Sequence, residues 1–275
     1  MSHSTPIVLS IAGSDSGAGA GIQADIKAIS ATGSYACTVI TAITAQNTLG
    51  VQRAMTVPLE YIAAQLDALF SDLNVVAVKT GMLVNAEVIE LVADKLVQYQ
   101  PKFIIVDPVM IATSGGALLE KTAVETLQRR LLPLADLVTP NLPEAEVLTG
   151  QHFDRFEQQP ALIASLRSLP AKAVLLKGGH QVDSASSRDW LITDQEVVQM
   201  GAPRVNTQNT HGTGCTLSAA IASYLAQGEP LAAAVSKAKN YLTRAIATAD
   251  ELAVGQGAGP LHHFFHLDAH LAVKA

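Results

Sequence analysis

The stretch PIVLSIAGSDSGAGAGIQADIKAISATG, residues 6–33, decides the fold. Its first eight residues, 6–13, form an apolar run rich in β-branched side chains, which is typical of a buried strand. After a glycine-rich turn, residues 21–33 place isoleucines on one face of a predicted helix that Gly33 ends. A second β-branched run at 35–44 follows directly. A strand, a helix and another strand in this order predict a parallel sheet.

The same alternation continues along the chain. Further helices are predicted at 58–72, 85–99, 118–132, 215–227 and 230–249, with strands at 103–110, 135–139 and 173–179 and a hairpin within 188–199. This rhythm predicts an α/β fold: a mostly parallel central sheet with helices on both faces. The hairpin predicts a small antiparallel edge. Because we find no linker and no internal repeat, we expect a single domain over residues 1–275.

Composition excludes several classes of function. The chain has 275 residues, 49% of them hydrophobic, and a formal net charge of -6, which argues against a nucleic-acid or anionic-membrane surface. No run approaches the roughly 18 apolar residues of a membrane helix. The chain has 2 cysteines, which form no disulfide framework, and Cys37 lies in an apolar strand where we expect it to be buried. We therefore expect a cytoplasmic protein without membrane or nucleic-acid partners.

Polar side chains follow the predicted strands. In open parallel sheets, ligands bind beyond the carboxyl ends of the strands. Asp107 follows four apolar residues, and such a carboxylate suits a hydrated Mg²⁺. Glu144 lies three residues after Asn141, although its charge is also typical of a first helical turn. Lys177 ends another strand and could contact a phosphate, or it is an ordinary surface lysine.

Two glycine-rich segments are candidates for binding an anion. Gly17, Gly19 and Gly21 follow G-x-G-x-G, which is not the dinucleotide pattern, and a flexible turn explains them equally well. Asp25 follows near the positive end of the predicted helix, where a plain first-turn carboxylate is equally typical. The chain has no Gly-Lys dipeptide, so a P-loop is excluded. The turn NTHGTGC, residues 209–215, remains the candidate because its backbone N–H groups open a helix.

Together these segments resemble a known family. The motifs are, in order, AGSDSGAGAGIQAD, ITAITAQNT, KTGML, VDPVM, TPNLPEAE, LLKGGH and NTHGTGCTLSAAIA, with a tail GQGAGPLHHF. In this register they closely resemble the bacterial hydroxymethylpyrimidine/phosphomethylpyrimidine kinases of thiamine biosynthesis, from residue 7 to about residue 266. The resemblance implies the ribokinase-like fold, a three-layer α/β/α arrangement.

The resemblance also implies an activity and its partners. Members phosphorylate 4-amino-5-hydroxymethyl-2-methylpyrimidine with ATP and Mg²⁺, and then phosphorylate the monophosphate to the diphosphate. The partners implied are the pyrimidine, ATP and a second copy of the chain in a homodimer.

The resemblance also implies roles for individual residues of this sequence. The resemblance assigns the pyrimidine to Gln46, Gly13, Asp25, Met82 and Val109. A carboxamide such as that of Gln46 offers an acceptor and two donors, which suits an aminopyrimidine edge. The resemblance assigns the transferred phosphate to Gly212, Thr213 and Gly214, the ATP phosphates to Asn141, Lys177 and Thr210, and Mg²⁺ to Asp107 and Glu144, mainly through water.

Cys215 is the departure from the wider fold. Sugar kinases of this fold carry D-T-x-G-A-G-D in the turn, and their second aspartate, the catalytic base, is matched by Cys215. Cys215 is either the base, with its pKa pulled below about 8.5 by the helix N-terminus, or a small neutral filler. We favour the base, because a thiol can also stay neutral beside an acceptor that already bears a phosphate. For His211 we expect a turn-stabilising or nucleotide-facing side chain.

Three alternatives are weighed against this interpretation. A pyridoxal kinase shares the turn and even the cysteine, and Gln46 favours the pyrimidine. A non-catalytic protein that binds a nucleotide or a thiamine precursor has no need of Asp107, Glu144 and Lys177 together. A Rossmann dehydrogenase is excluded by the glycine spacing.

Overall fold

The structure is a computed structural model that describes residues 5–110, 121–152, 160–178 and 186–267. The strands are β1 (Ile7–Asp15), β2 (Tyr35–Asn47), β3 (Gly50–Thr56), β4 (Val75–Thr80), β5 (Phe103–Val106), β6 (Leu137–Val138), β7 (Ala173–Leu176), β8 (Ser186–Thr193) and β9 (Val197–Pro203). The helices are α1 (Gly21–Ala31), α2 (Leu59–Asp72), α3 (Ala86–Tyr99), α4 (Lys121–Thr126), α5 (Leu142–Thr149), α6 (Pro160–Arg167), α7 (Thr213–Ala226) and α8 (Leu231–Ala247). In this part of the chain no helix is long and apolar enough to cross a membrane.

The nine strands of the described residues form one sheet in the order β3-β2-β1-β4-β5-β6-β7-β8-β9. The six neighbouring strands β2, β1, β4, β5, β6 and β7 pair in parallel, which confirms the predicted parallel sheet. The predicted hairpin is β8–β9, and it lies antiparallel at one edge. The other edge is also antiparallel, because β3 pairs back along β2.

Alternating side chains of the strands feed two separate cores. Leu9 and Ile11 of β1 point to the core under α2 to α6, whereas Val8 between them points to the core under α1, α7 and α8. The same alternation occurs in β5, where Ile105 faces the opposite core from Ile104. Since successive strand residues face opposite sides, this pattern gives the predicted three layers.

The structure differs from the prediction in one helix and in two additional elements. The predicted helix at 118–132 begins outside the described residues, and its later part is divided into α4, a π-helical turn at Leu127–Leu131 and a 3-10 turn at Leu132–Leu134. Strand β3 and helix α6 were not predicted. β3 is largely exposed and lacks an apolar alternation, so its conformation depends on pairing with β2 rather than on its own pattern.

The segment HHFFH at residues 262–266 packs inward, and its first two histidines are buried. The His263 ring is buried, and its Nε2 lies 2.8 Å from Thr216 Oγ1 of α7. Its Nδ1 lies 3.1 Å from the carbonyl oxygen of Leu261, so Nδ1–H donates and Nε2 accepts from Thr216. Burial lowers the pKa of His263 from 6.5 to about 4, with Lys27 adding to the effect.

This neutral histidine predicts a loss of stability in acid. The unfolded chain takes up a proton near pH 6.5 that native His263 resists until about pH 4. The free energy of unfolding should therefore fall as the pH drops through that window, by about 3 kcal/mol in total from this group. Urea denaturation of wild type and His263→Gln at pH 7.5 and pH 4.5 measures it. The variant should lose clearly less stability between the two pH values; equal losses would contradict the assignment.

Candidate active site

The carboxyl ends of the parallel strands meet at one edge of the sheet, where a pocket of about 780 Å³ opens. Asp15 ends β1, Asp107 follows β5, and Lys177 follows β7. The pocket is lined by the predicted residues Gly13, Gln46, Met82, Val109, Asp107, Asn141, Glu144, Lys177, Thr210, Gly212, Thr213, Gly214 and Cys215. The structure thus brings together every predicted site residue except one, Asp25.

The turn before α7 has the geometry of an anion site. Helix α7 begins at Thr213, and the residues of its first turn line the pocket. The N–H of Thr213 donates to the carbonyl oxygen of Thr210 at 3.2 Å, whereas those of Gly214 and Cys215 have no partner within the helix. Gly212 precedes it with φ +85°, and a side chain there would place Cβ 1.9 Å from the carbonyl oxygen of Gly19. Thr213 Oγ1 donates to the carbonyl oxygen of Thr210, 2.6 Å away, which closes the turn. Only glycine fits this approach of two loops.

Lys177 joins two carboxylates across the pocket wall. Its Nζ lies 2.9 Å from Asp107 Oδ1 and 3.7 Å from Glu144 Oε2. Burial alone would raise the pKa of Asp107, but the ammonium groups of Lys177 and Lys79 outweigh it and hold that pKa below its usual value. Burial, together with the charge of Asp107, raises the pKa of Glu144. The wall therefore places one cation between two carboxylates beside the turn.

Glu144 is held by the start of its own helix. Asn141 caps α5, and its Oδ1 accepts from the backbone N–H of Glu144 at 2.9 Å. Glu144 Oε2 accepts in return from the backbone N–H of Asn141 at 2.8 Å, which completes a capping box. The first-turn role that the sequence left open is thus present, and Glu144 lines the pocket as well.

Asp25 is the one predicted site residue that does not line the pocket. Its side chain is 0% exposed and pairs with Lys79, Nζ to Oδ2 2.8 Å, while Ser10 Oγ donates to the same oxygen at 2.5 Å. Neither Asp25 nor Lys79 lines the pocket. The contact between Asp25 and the substrate stays a prediction; in this structure the carboxylate is fully buried and neutralises a buried ammonium group.

Cys215 lies in the first turn of α7 with part of its surface open to the pocket. The expectation of a lowered thiol pKa is wrong. Burial raises the pKa of Cys215 to about 11; Lys79 acts in the opposite direction, and the charges of Asp25 and Asp107 raise it further. Loss of water around a thiolate outweighs the attraction of the Lys79 charge here, so the thiol is neutral near pH 7.

Gly13 and Met82 shape the apolar part of the pocket. A Cβ on Gly13 would lie 2.3 Å from Met82 Cε, so the glycine makes room for the methionine. Thr41 Oγ1 donates to the Met82 carbonyl oxygen at 2.7 Å and so fixes the segment that follows β4. Val109 lines the same space.

Asp15 lines the pocket as well, and sequence reasoning missed it. Its carboxylate accepts from the backbone N–H groups of Gly17, Gly19 and Ala20 at 2.8 to 3.0 Å. His211 Nε2 lies 2.9 Å from Asp15 Oδ2, so the same carboxylate ties the glycine loop to the turn before α7. This confirms the expected turn-stabilising role of His211. An aspartate directly before a glycine-rich loop was the available signal, because its oxygens can accept the N–H groups that follow.

No group of three or more metal-ligating side chains occurs in the described residues. Asp107 also accepts from Thr139 Oγ1 at 3.0 Å, so its oxygens are already partly occupied. This donor set suits an ion that keeps most of its waters, which is the usual state of Mg²⁺.

Comparisons with known proteins agree on one family. A sequence model of the phosphomethylpyrimidine kinase family matches residues 15–262. The hydroxymethylpyrimidine/phosphomethylpyrimidine kinase of Rhizobium meliloti (strain 1021) is 54% identical over 261 residues, covering 94% of this chain and 97% of that protein. The thiamine biosynthesis bifunctional protein ThiED of Geobacter sulfurreducens is 50% identical over 256 residues. That alignment covers 93% of this chain and 52% of ThiED, so the chain spans about half the length of this relative.

A solved structure agrees on the fold. The ADP complex of Bacillus subtilis pyridoxal kinase superposes with a TM-score of 0.86 at 33% identity, covering 94% of this chain and 98% of that one. The predicted ribokinase-like architecture is confirmed.

Proposed function

Since this chain belongs to the phosphomethylpyrimidine kinase family, we propose that it transfers the γ-phosphoryl group of ATP to 4-amino-5-hydroxymethyl-2-methylpyrimidine, and then phosphorylates the monophosphate to the diphosphate, in thiamine biosynthesis. One observation supports the proposal: a single pocket is lined both by Gln46 and by the turn Gly212–Cys215. A pyrimidine on Gln46 would direct its substituent towards the turn.

Each end of the pocket has a role in this proposal. The ring would lie between Met82 and Val109 and pair with Gln46, with Gly13 leaving the space. Backbone N–H groups of Gly212, Thr213 and Gly214 would donate hydrogen bonds to the transferred phosphoryl oxygens and so stabilise the negative charge that develops there.

ATP would lie along the rest of the pocket. Lys177, Asn141 and Thr210 would contact its phosphates. Apolar side chains at the far end, among them Leu242 and Ile246 of α8, would cover its base. Asp107 and Glu144 would hold Mg²⁺ mainly through water. The ion would supply positive charge against the phosphate oxygens.

Mass spectrometry of the product tests the function. The enzyme is incubated with the pyrimidine alcohol and Mg-ATP, and the added phosphates are counted. Two added phosphates support the proposal in full. One restricts it to the alcohol step, and none overturns it.

We propose that Cys215 accepts the proton of the alcohol in the first step. With a thiol pKa of about 11, kcat/KM of the alcohol step should rise about tenfold per pH unit between pH 7 and 9. The monophosphate acceptor is already ionised, so its step should lack this slope. Cys215→Ala should abolish the slope and slow the alcohol step more than the phosphate step. Cys215→Asp should spare the first step and slow the second by about 10- to 100-fold, because two negative charges would be close together.

Cys37→Ala is the matched control, because this second cysteine is buried in β2 away from the pocket. Both steps and the pH slope should survive that change. Equal losses of both steps in Cys215→Ala would contradict the role of Cys215 as a base.

A pyridoxal kinase is the second candidate, favoured by the extent of the match to the Bacillus subtilis enzyme. Steady-state assays with pyridoxal and the pyrimidine alcohol in parallel separate the two. Under our proposal the pyrimidine has the higher kcat/KM, because Gln46 complements an aminopyrimidine edge. A higher value for pyridoxal would reverse the assignment.

We propose that two copies associate through the edge formed by β2 and β3. Ile43 and Met55 face each other across these strands, and the two residues are 48% and 61% exposed. Leu49 and Tyr35 add exposed apolar surface on the same two strands or the turn between them. An exposed apolar patch on an edge pair suits a second copy. Sedimentation should report a dimer, and Met55→Glu should shift it towards the monomer; a monomeric wild type would overturn the proposal.

We further propose that residues 1–275 work as one domain in the cytoplasm. The single nine-stranded sheet supports the first point. The use of ATP and the free thiols of Cys37 and Cys215 support the second.

A further inference from the structure

The amide of Gln46 lies between two neighbours that limit its orientation. Gln46 Nε2 is placed 3.2 Å from His211 Nε2, and Gln46 Oε1 is 3.2 Å from Thr44 Oγ1. A glutamine amide can be turned by 180° without changing its shape, so the hydrogen bonds decide which end is nitrogen.

Asp15 decides what His211 offers. The carboxylate of Asp15 only accepts hydrogen bonds, and its Oδ2 lies 2.9 Å from His211 Nε2. Burial alone would raise the pKa of Asp15, but His211 and the backbone N–H groups of Ala20 and Gly17 hold it below its usual value, so the group is ionised. His211 Nε2 must therefore carry a hydrogen, whether the ring is neutral or charged.

A donating His211 cannot face the nitrogen of an amide. Two donors would then oppose each other at 3.2 Å. On the other side, the hydroxyl hydrogen of Thr44 already goes to the carbonyl oxygen of Ser14 at 2.8 Å, which leaves a lone pair and no hydrogen for Gln46. Turning the amide resolves both conflicts. Oxygen then faces the single Nε2–H of His211, which it shares with Asp15, and nitrogen donates to Thr44.

We propose that Asp15 and His211 are positioning residues that fix the order of donor and acceptor which Gln46 presents to the substrate. This inference rests on the proposed function. The free lone pair of Gln46 Oε1 lies on the His211 side, and the free N–H lies on the Thr44 side. A 4-aminopyrimidine presents a donating amino group beside an accepting ring nitrogen and matches that order in one orientation.

The fixed order implies a specificity. In the 4-oxo analogue, 5-hydroxymethyl-2-methylpyrimidin-4-one, the exocyclic oxygen accepts and the ring N–H donates, which is the reverse pattern. A site whose polar groups are held in one order rejects the reversed pattern, because those groups would be left unpaired. Asp15 and His211 thus select the amino over the oxo pyrimidine.

The test compares His211→Leu with His211→Gln. Leu removes the N–H, whereas Gln can place an amide N–H near the position of Nε2 and should restore the order. For His211→Leu we expect the ratio of kcat/KM for the amino over the oxo alcohol to fall roughly tenfold, one hydrogen bond in size, mainly through KM. For His211→Gln we expect the wild-type ratio within about threefold.

Ser16→Ala is the matched control for a loosened loop. Ser16 Oγ donates to the backbone carbonyl oxygen of Gln46 at 2.7 Å and accepts from its backbone N–H at 2.8 Å. Neither bond involves the side-chain amide of Gln46. Its ratio should stay at the wild-type value. An unchanged ratio in His211→Leu, or an equal fall in Ser16→Ala, would overturn the inference. A wild type that phosphorylates neither alcohol would instead refute the proposed function.

Discussion

Replacing Gly212 by alanine should reduce kcat/KM by about 10²- to 10³-fold, the loss expected when one donor of an oxyanion-type site is misplaced. Gly212 has φ +85°, and an added Cβ would lie 1.9 Å from the carbonyl oxygen of Gly19. Backbone cannot yield as a flexible side chain can, so either the glycine loop or the turn before α7 must move. Steady-state kinetics with ATP and the pyrimidine alcohol measure the loss.

Gly228→Ala separates strain from site geometry. Gly228 follows α7 at its other end with φ +92°, and an added Cβ would meet nothing within 4 Å. We expect a loss of about 1 kcal/mol in the free energy of unfolding from the left-handed backbone, with kcat/KM unchanged. If Gly212→Ala kept more than a third of its activity, the turn would not be the phosphate site.

Replacing Lys177 by methionine should have an effect of similar size. The change removes the cation proposed to contact the ATP phosphates, so we expect kcat/KM to fall about 10²- to 10³-fold. It also leaves Asp107 and Glu144 without their shared partner in the pocket wall, where Glu144 already has a raised pKa. We expect the free energy of unfolding to fall by about 3 kcal/mol. Kinetics and urea denaturation measure the two effects.

Lys172→Met is the matched control. Lys172 also pairs with an aspartate, Nζ to Asp136 Oδ1 2.7 Å, but its side chain is 73% exposed. An exposed pair of this kind contributes little, so activity and stability should stay near wild type. Near-normal kinetics in Lys177→Met would remove this lysine from the proposed ATP site.

Much of the pocket could be predicted from residues that end apolar runs. Asp107 and Lys177 directly follow the buried strands β5 and β7, and parallel strands place their carboxyl ends at one edge. Gln46 and Met82 came instead from resemblance, because nothing in their local pattern marks a ligand. The structure brings all four to one pocket.

Other features depend on partners far away in the chain. Asp25 and Lys79 are 54 residues apart, and no periodicity indicates that they pair in the interior. Asp15 and His211 are 196 residues apart. Local patterns cannot specify such contacts, since they form only when segments that are distant in the sequence pack together.

By itself the sequence determined the alternation of strands and helices, because spacing of apolar side chains is a local property that each segment carries. It also determined which polar residues stand at the strand ends. Only the tertiary structure decided that β3 joins the sheet, that Asp25 pairs with Lys79 in the interior and that the Cys215 thiol is neutral. Those outcomes depend on hydrogen-bonding partners, on exclusion of water and on summed charges, which exist only after the chain has folded.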